Sequence, residues 1–198
     1  TLPLYIALAA VVWLGLPVLA PLCALLDLLR GGRPWILLRC ILFFAWYLAC
    51  ETAGIVASGA LWILDATVWR RRPERSRAAL HRLQGLWASA LFAGGARVFG
   101  FRLEVEGLDE AREGPVLVFM RHASVADTLL PAVVLGARAG LRLRYVLKAE
   151  LLWDPCLDLV GNRLPNTFVR RGSGDTEREV ALLLALLDDI QHDEGVLM

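Results

Sequence analysis

The chain has 198 residues, of which 57% are hydrophobic, with a mean hydropathy of +0.54 and a formal net charge of +1. That length holds one domain of ordinary size plus an extra module, and the balanced charge gives no electrostatic case for nucleic acid. The apolar content is too high for a plain soluble domain, and the excess lies before Trp69.

In chain order, Leu2 to Leu26 carries no charged side chain. Roughly 20 helical residues at about 1.5 Å each cross the hydrocarbon layer, so this run is long enough to span. It is too long, and lacks the basic start, for a cleaved signal peptide. Pro17 and Pro21 predict a kinked or re-entrant helix. A second apolar segment runs from about Ile36 to Leu64, with Trp35 and Trp69 near its ends, where interfacial aromatics are expected. Glu51 lies mid-segment and is expected as a neutral carboxyl bonded to the partner helix, with a headgroup or substrate-entry contact as the alternative. Arg30, Arg33 and Arg39 lie between the segments, and Arg70, Arg71, Arg72, Arg75 and Arg77 follow the second. The larger cluster places everything after Trp69 in the cytoplasm. Two helices embedded in one membrane, the first re-entrant, leave both clusters on that face. Residues 1–69 are thus expected as a membrane-embedded helical module, followed by an α/β domain over 70–198.

From Glu74 to Phe99, Leu80, Leu83, Trp87, Ala90 and Leu91 share one helix face. His81 lies off that face and is expected at the surface. Phe101 to Gly107 alternates like a half-buried strand, and Val116 to Met120 reads as a strand covered on both sides. A helix is expected over Thr128–Arg138, with Pro131 in its first turn, then a strand over Leu141–Leu147 and a short helical piece from Glu150 to Val160. A strand at Thr167–Val169 and an amphipathic helix from Thr176 to Gln191, ended by Gly195, follow. Val196-Leu197-Met198 begins a further strand, so the chain is expected to continue. Alternating strands and helices predict an α/β fold with a mixed or parallel sheet. Cys23, Cys40, Cys50 and Cys156 show no metal-ligand spacing and are expected as small buried hydrophobes, with no metal.

The most informative stretch is Arg121-His122-Ala123-Ser124-Val125-Ala126-Asp127, at the turn between the Val116–Met120 strand and the next helix. An H-x4-D pair cannot share a helix face, so the loop must curl back. Asp127 in the first helical turn stays ionised near unsatisfied N–H groups and can accept the Nδ1 proton of His122. Nε2 is then a base for a hydroxyl proton. Ser124 lacks a G-x-S-x-G elbow and is set aside as a nucleophile. On spacing alone, a strand-end His with an Asp helix cap and no chemistry stays open.

The stretch Val118 to Asp127 resembles motif I of the glycerolipid acyltransferases, the lysophosphatidic acid acyltransferase family. Lys148-Ala149-Glu150-Leu151 with Pro155 is similar to the family's Lys-x-Glu-Leu…Pro segment, and Gly161…Thr167-Phe168-Val169-Arg170-Arg171 is similar to its motif II. The resemblance implies transfer of an acyl chain from acyl-CoA or acyl carrier protein to the free hydroxyl of a lysophospholipid. In that scheme His122 is the base and Asp127 its support, with no cofactor, metal or covalent intermediate. It also implies Arg171 as the holder of the acceptor phosphate, joined by Arg170 and Lys148. The acceptor it points to is 1-acylglycerol-3-phosphate, giving phosphatidic acid. Arg121, where the family often has Asn, points to another lyso-lipid or an amino-lipid as the alternative. Motif III, Phe-Pro-Glu-Gly-Thr-Arg, is expected after Met198. A membrane-anchored scaffold with a degenerate site is the competing reading from another class.

Overall fold

The computed structural model describes residues 2–31, 35–70, 72–121, 124–170 and 176–198. Two long apolar helices come first, α1 (Leu2–Leu29) and α2 (Ile36–Thr67), each long and apolar enough to cross a membrane. Helix α1 runs through both Pro17 and Pro21. Asp27 joins the pair: its carboxylate accepts the backbone N–H groups of Leu37 (3.1 Å) and Leu38 (3.0 Å). It thereby caps a helix whose own N-cap, Trp35, is left-handed (φ 63°) and has no oxygen to offer. Ala9 and Val12 of α1 pack on Ala45 and Leu48 of α2.

The inner face of α2 packs on the rest of the molecule. Helix α3 (Pro73–Phe99) runs antiparallel to it, and the contacts step backward along α3 as α2 advances. Phe43 meets Phe99 edge-on at 5.3 Å, Trp46 Nε1 donates to Ala90 O (2.9 Å), and Trp87 Nε1 donates to Glu51 Oε1 (2.9 Å). Ser76 Oγ donates to Asp65 Oδ2 (2.8 Å), and the Arg163 guanidinium pairs with the same carboxylate. Two glycines permit the approach. A Cβ at Gly94 would lie 2.2 Å from the Trp46 ring, and one at Gly54 would lie 2.4 Å from Cys156 Sγ. Away from this contact the face of α2 stays apolar, with Val56, Trp62 and Ile63 exposed.

Helix α3 starts at Pro73, in the position where a missing N–H costs nothing. It ends on Gly100, whose φ of 77° is the left-handed C-terminal conformation. Leu80, Ala88 and Leu91 are buried. His81, expected at the surface, is partly buried; that burial first, and then the nearby Arg142 charge, push its pKa down to about 4. Cys50 and Cys156 are buried, whereas Cys40 is exposed and Cys23 intermediate. The expectation of buried thiols fails for Cys40 because the outer side of α2 has no protein against it. No cluster of potential metal ligands occurs among the described residues.

The remainder is the α/β part. Strands β1 (Val116–Val118), β2 (Arg142–Lys148), β3 (Thr167–Val169) and β4 (Glu194–Leu197) form a sheet in the order β1-β4-β2-β3. All three pairings are parallel, with Leu117 opposite Val196, Arg144 opposite Val196 and Leu147 opposite Phe168, which resolves the mixed-or-parallel alternative. The helix expected over Thr128–Arg138 is a 3₁₀ turn (Val125–Thr128) followed by wider π turns (Ala132–Arg138). Its Leu135 covers Leu143, Tyr145 and Leu197 on one face of the sheet. The piece expected near Glu150 to Val160 is likewise two short helices, Ala149–Trp153 and Leu157–Gly161.

Two expectations are corrected. Residues 101–106 form no strand. Leu103 and Val105 are partly buried and Phe101 stacks edge-on against Phe92 at 5.3 Å, so alternate burial is present without a neighbouring ladder. Gly195 does not end a helix. Helix α4 (Thr176–Leu187) stops earlier, where Asp189 turns left-handed (φ 58°), and Gly195 lies inside the central strand β4. A Cβ there would stand 2.8 Å from Val116 Cγ2 and 3.2 Å from Leu143 Cδ2, which explains the glycine by packing.

Candidate active site

Parallel strands all emerge at one edge, and ligands of such sheets bind outside the carboxyl ends. Among the described residues, three of those singled out by sequence follow strands at that edge. Asp127 lies in the 3₁₀ turn that follows β1, Lys148 is the last residue of β2, and Arg170 is the first residue past β3. Lys148 pairs in register with Val169, so Lys148 and Arg170 emerge from adjacent strands. Both are exposed, as is Arg121 after β1. β4 separates β1 from β2, so the ends of those two strands stand on the order of 10 Å apart across the edge. His122 and Arg171 lie outside the described residues.

The turn that carries Asp127 is built by Ser124. Ser124 is extended (φ −145°, ψ 165°), and its N–H donates to Asp127 Oδ2 at 2.6 Å. Its hydroxyl donates to Asp127 Oδ1 at 3.2 Å, and the two residues cap each other reciprocally. The sequence placed Asp127 in a first helical turn, and it sits at the third position of one. Phe119 and Trp153, which follow β1 and β2, are about three-quarters exposed (74% and 75%) and give the edge an apolar rim.

A second polar group ties this edge to α2. Asp154 Oδ1 accepts the N–H groups of Cys156 (3.0 Å) and Leu157 (3.1 Å), which caps the turn that follows, and its Oδ2 accepts the Tyr47 hydroxyl (3.1 Å). Cys156 Sγ donates to the Glu51 carbonyl at 3.4 Å, and Glu51 is 1% exposed. Glu51 is therefore bonded to Trp87 of α3 and not to the other apolar helix. The cavity beside it, between α2, α3 and the Leu157–Gly161 turn, measures about 20 Å³, room for a water and not for an acyl chain. Asp154 was legible in principle, since Asp-Pro is a helix-start signature; Tyr47 as its partner was not.

Residues 102–193 match the family model described as Acyltransferase. This segment is similar to the acyltransferase family's domain. No curated protein and no solved structure matched the chain. The matched segment takes in β1, β2, β3, α4 and every site position read from the sequence, while α1, α2 and α3 precede it. The family is the one that the glycerolipid motifs resemble.

Proposed function

We propose that this protein is a membrane-bound O-acyltransferase that moves a fatty acyl chain from acyl-CoA or acyl carrier protein to the free hydroxyl of a lysophospholipid, with 1-acylglycerol-3-phosphate as acceptor and phosphatidic acid as product. His122 takes the hydroxyl proton, the oxygen attacks the thioester carbonyl, the C–S bond breaks, and the imidazolium returns the proton to the leaving thiolate. Asp127 orients the imidazole and supports its charge. Arg171, with Arg170 and Lys148, holds the acceptor phosphate. The observation that carries this reading is the gathering of Asp127, Lys148 and Arg170 at one edge of a parallel sheet within an acyltransferase-family segment.

The membrane is met by α1 and the outer face of α2, where Leu4, Val11, Leu14, Val18, Val56 and Trp62 are exposed. Because α2 packs on α3 from about Phe43 to Asp65, both helices lie in one membrane face in this reading, with the acyltransferase domain on the cytoplasmic side. The test uses the full-length protein in lipid nanodiscs, labelled acyl-CoA or acyl carrier protein, and a panel of lyso-lipids. Lysophosphatidic acid is the expected acceptor. Preference for another lyso-lipid or an amino-lipid would replace it with the acceptor that Arg121 suggests. His122→Ala is expected to reduce turnover by about 10²–10⁴-fold with membrane attachment intact, and unchanged turnover refutes the proposal.

A further inference from the structure

Helices α2 and α3 are joined by a short connection, in which the Arg72 N–H donates to Trp69 O at 2.7 Å. Arg70, Arg72, Arg75 and Arg77 at this junction are exposed, and none makes an ion pair with a described residue. Glu74 is the one acid among them. Asp65, the carboxylate near the end of α2, is already engaged by Ser76 and by the Arg163 guanidinium. Those contacts hold the start of α3 on the end of α2 and leave the arginines uncompensated. Like charges gathered in one place favour a surface that supplies anions. Apolar side chains share the junction: Val68, Trp62 and Ile63 are 68%, 65% and 58% exposed. Ile63 and Val68 gain nothing on a nucleic acid or an acidic protein face. At a bilayer surface each group has its place, with the indole at headgroup depth, the aliphatic side chains just below and the guanidinium forks on phosphates.

We infer that the α2–α3 junction is a docking surface for anionic phospholipid headgroups, with Arg70, Arg72, Arg75 and Arg77 on the headgroup phosphates and Trp62, Ile63 and Val68 at the acyl boundary. The inference rests on the membrane placement proposed above and adds the class of lipid that the placement selects. The surface lies outside the 102–193 segment and takes no part in the chemistry. Each arginine near an anionic surface shifts the balance toward contact about 5-fold, and Glu74 offsets one of the four.

The experiment compares backbone hydrogen exchange of the full-length protein in nanodiscs of phosphatidylcholine alone and of phosphatidylcholine mixed with phosphatidylglycerol. Amides of residues 68–77 are expected to exchange roughly 5-fold or more slowly in the anionic discs, with those of α1 unchanged as the reference. Salt at about 1 M, where screening acts within about 3 Å, is expected to remove the difference. Glutamine at all four arginine positions should abolish it, and lysine at the same positions should retain it to within about 2-fold, with thermal unfolding as the check on folding. Equal exchange in the two kinds of disc overturns the inference. So does a difference that persists in the glutamine variant, an equal loss in the lysine variant, or a slowing of the same size in α1. Inorganic phosphate added to phosphatidylcholine discs should leave exchange unchanged, and protection by phosphate alone assigns the arginines to a soluble anion and overturns the lipid surface. Acyl transfer is read on the same discs. Its absence beside a slowing confined to the junction sinks the acyltransferase reading alone, and transfer beside unchanged exchange removes the docking surface alone.

Discussion

Arg144→Ala is expected to lower the free energy of unfolding by about 3–5 kcal/mol, the usual cost of removing one partner from a buried ion pair. Arg144 and Glu194 are each 6% exposed and meet at 2.5 Å across the β2–β4 ladder. The same guanidinium donates to the Leu186 and Asp188 carbonyls (3.0 Å each) and to Asp189 Oδ1 (2.9 Å), so it also supplies the cation at the C-terminus of α4. In the variant, Glu194 keeps the Gln191 N–H at 3.0 Å and Arg142 at 3.7 Å, a partner that is itself 39% exposed. Against a typical domain stability of about 5–15 kcal/mol, and with a urea slope of about 1–3 kcal/mol per molar, the denaturation midpoint should fall by roughly 2 M. Urea titration in detergent, followed by tryptophan fluorescence, reads this directly. Arg144→Met combined with Glu194→Leu should recover most of the loss, since apolar replacement of both partners is often neutral. A loss below about 1 kcal/mol in Arg144→Ala, or a double variant no better than the single one, would refute the argument that burial makes this pair matter.

Gly54→Ala is expected to destabilise by about 1–3 kcal/mol through overpacking against Cys156 Sγ; Cys156→Ala in the same chain should return part of that loss, and additive losses in thermal unfolding would count against the contact. His81 predicts a pH dependence. Its folded value, about 4, lies below the ordinary 6.5, with burial and the Arg142 and Arg144 charges lowering it and Glu194 and Asp193 opposing. The unfolded chain therefore takes up the proton first, so the stability from the neutral ring is complete above about pH 6.5 and is lost as the pH falls toward 4. His81→Leu should flatten unfolding free energy across that window, and an unchanged slope would assign it to other groups.

The carboxyl edge of the sheet was readable because its residues sit where short-range rules are strong. Val116 to Val118 is a β-branched and aliphatic run, Arg142 to Lys148 carries Leu143, Tyr145, Val146 and Leu147 among its charged residues, and Asp127 stands where a helix start wants an anion. What escaped depends on tertiary contact. Gly195 looks like a helix terminator because glycine usually is one; only the approach of Val116 and Leu143 reveals it as a strand residue without room for a Cβ. Phe101 to Glu106 has the period of a strand, but period reports one-sided burial and says nothing of a hydrogen-bonded neighbour. The Arg144–Glu194 pair spans 50 residues, beyond any local pattern.

Helix α2 shows the same limit with a consequence that can be tested. Hydropathy records that side chains leave water, not whether they enter lipid or protein. Ala45, Leu48, Gly54 and Ser58 are buried against protein, while Val56, Trp62 and Ile63 on the same helix are exposed. The small and polar residues Glu51, Gly54 and Ser58 are the ones that distinguish a docking face from a lipid face. The two apolar helices should then respond differently to removal. Deleting residues 1–31 strips the Ala9–Val12 contact and a largely exposed apolar helix, so the remainder should stay folded and monodisperse in detergent while floating less well with vesicles. Deleting residues 1–69 also uncovers Trp87 and the α3 face that carries Leu80 and Leu91, and removes the Tyr47 hydroxyl from Asp154 Oδ2. That product should aggregate and lose acyl transfer, as seen by size exclusion and the labelled-donor assay. A soluble, active protein after the longer deletion would show that α2 is only an anchor, and the docking contacts described above would then contribute nothing to the fold.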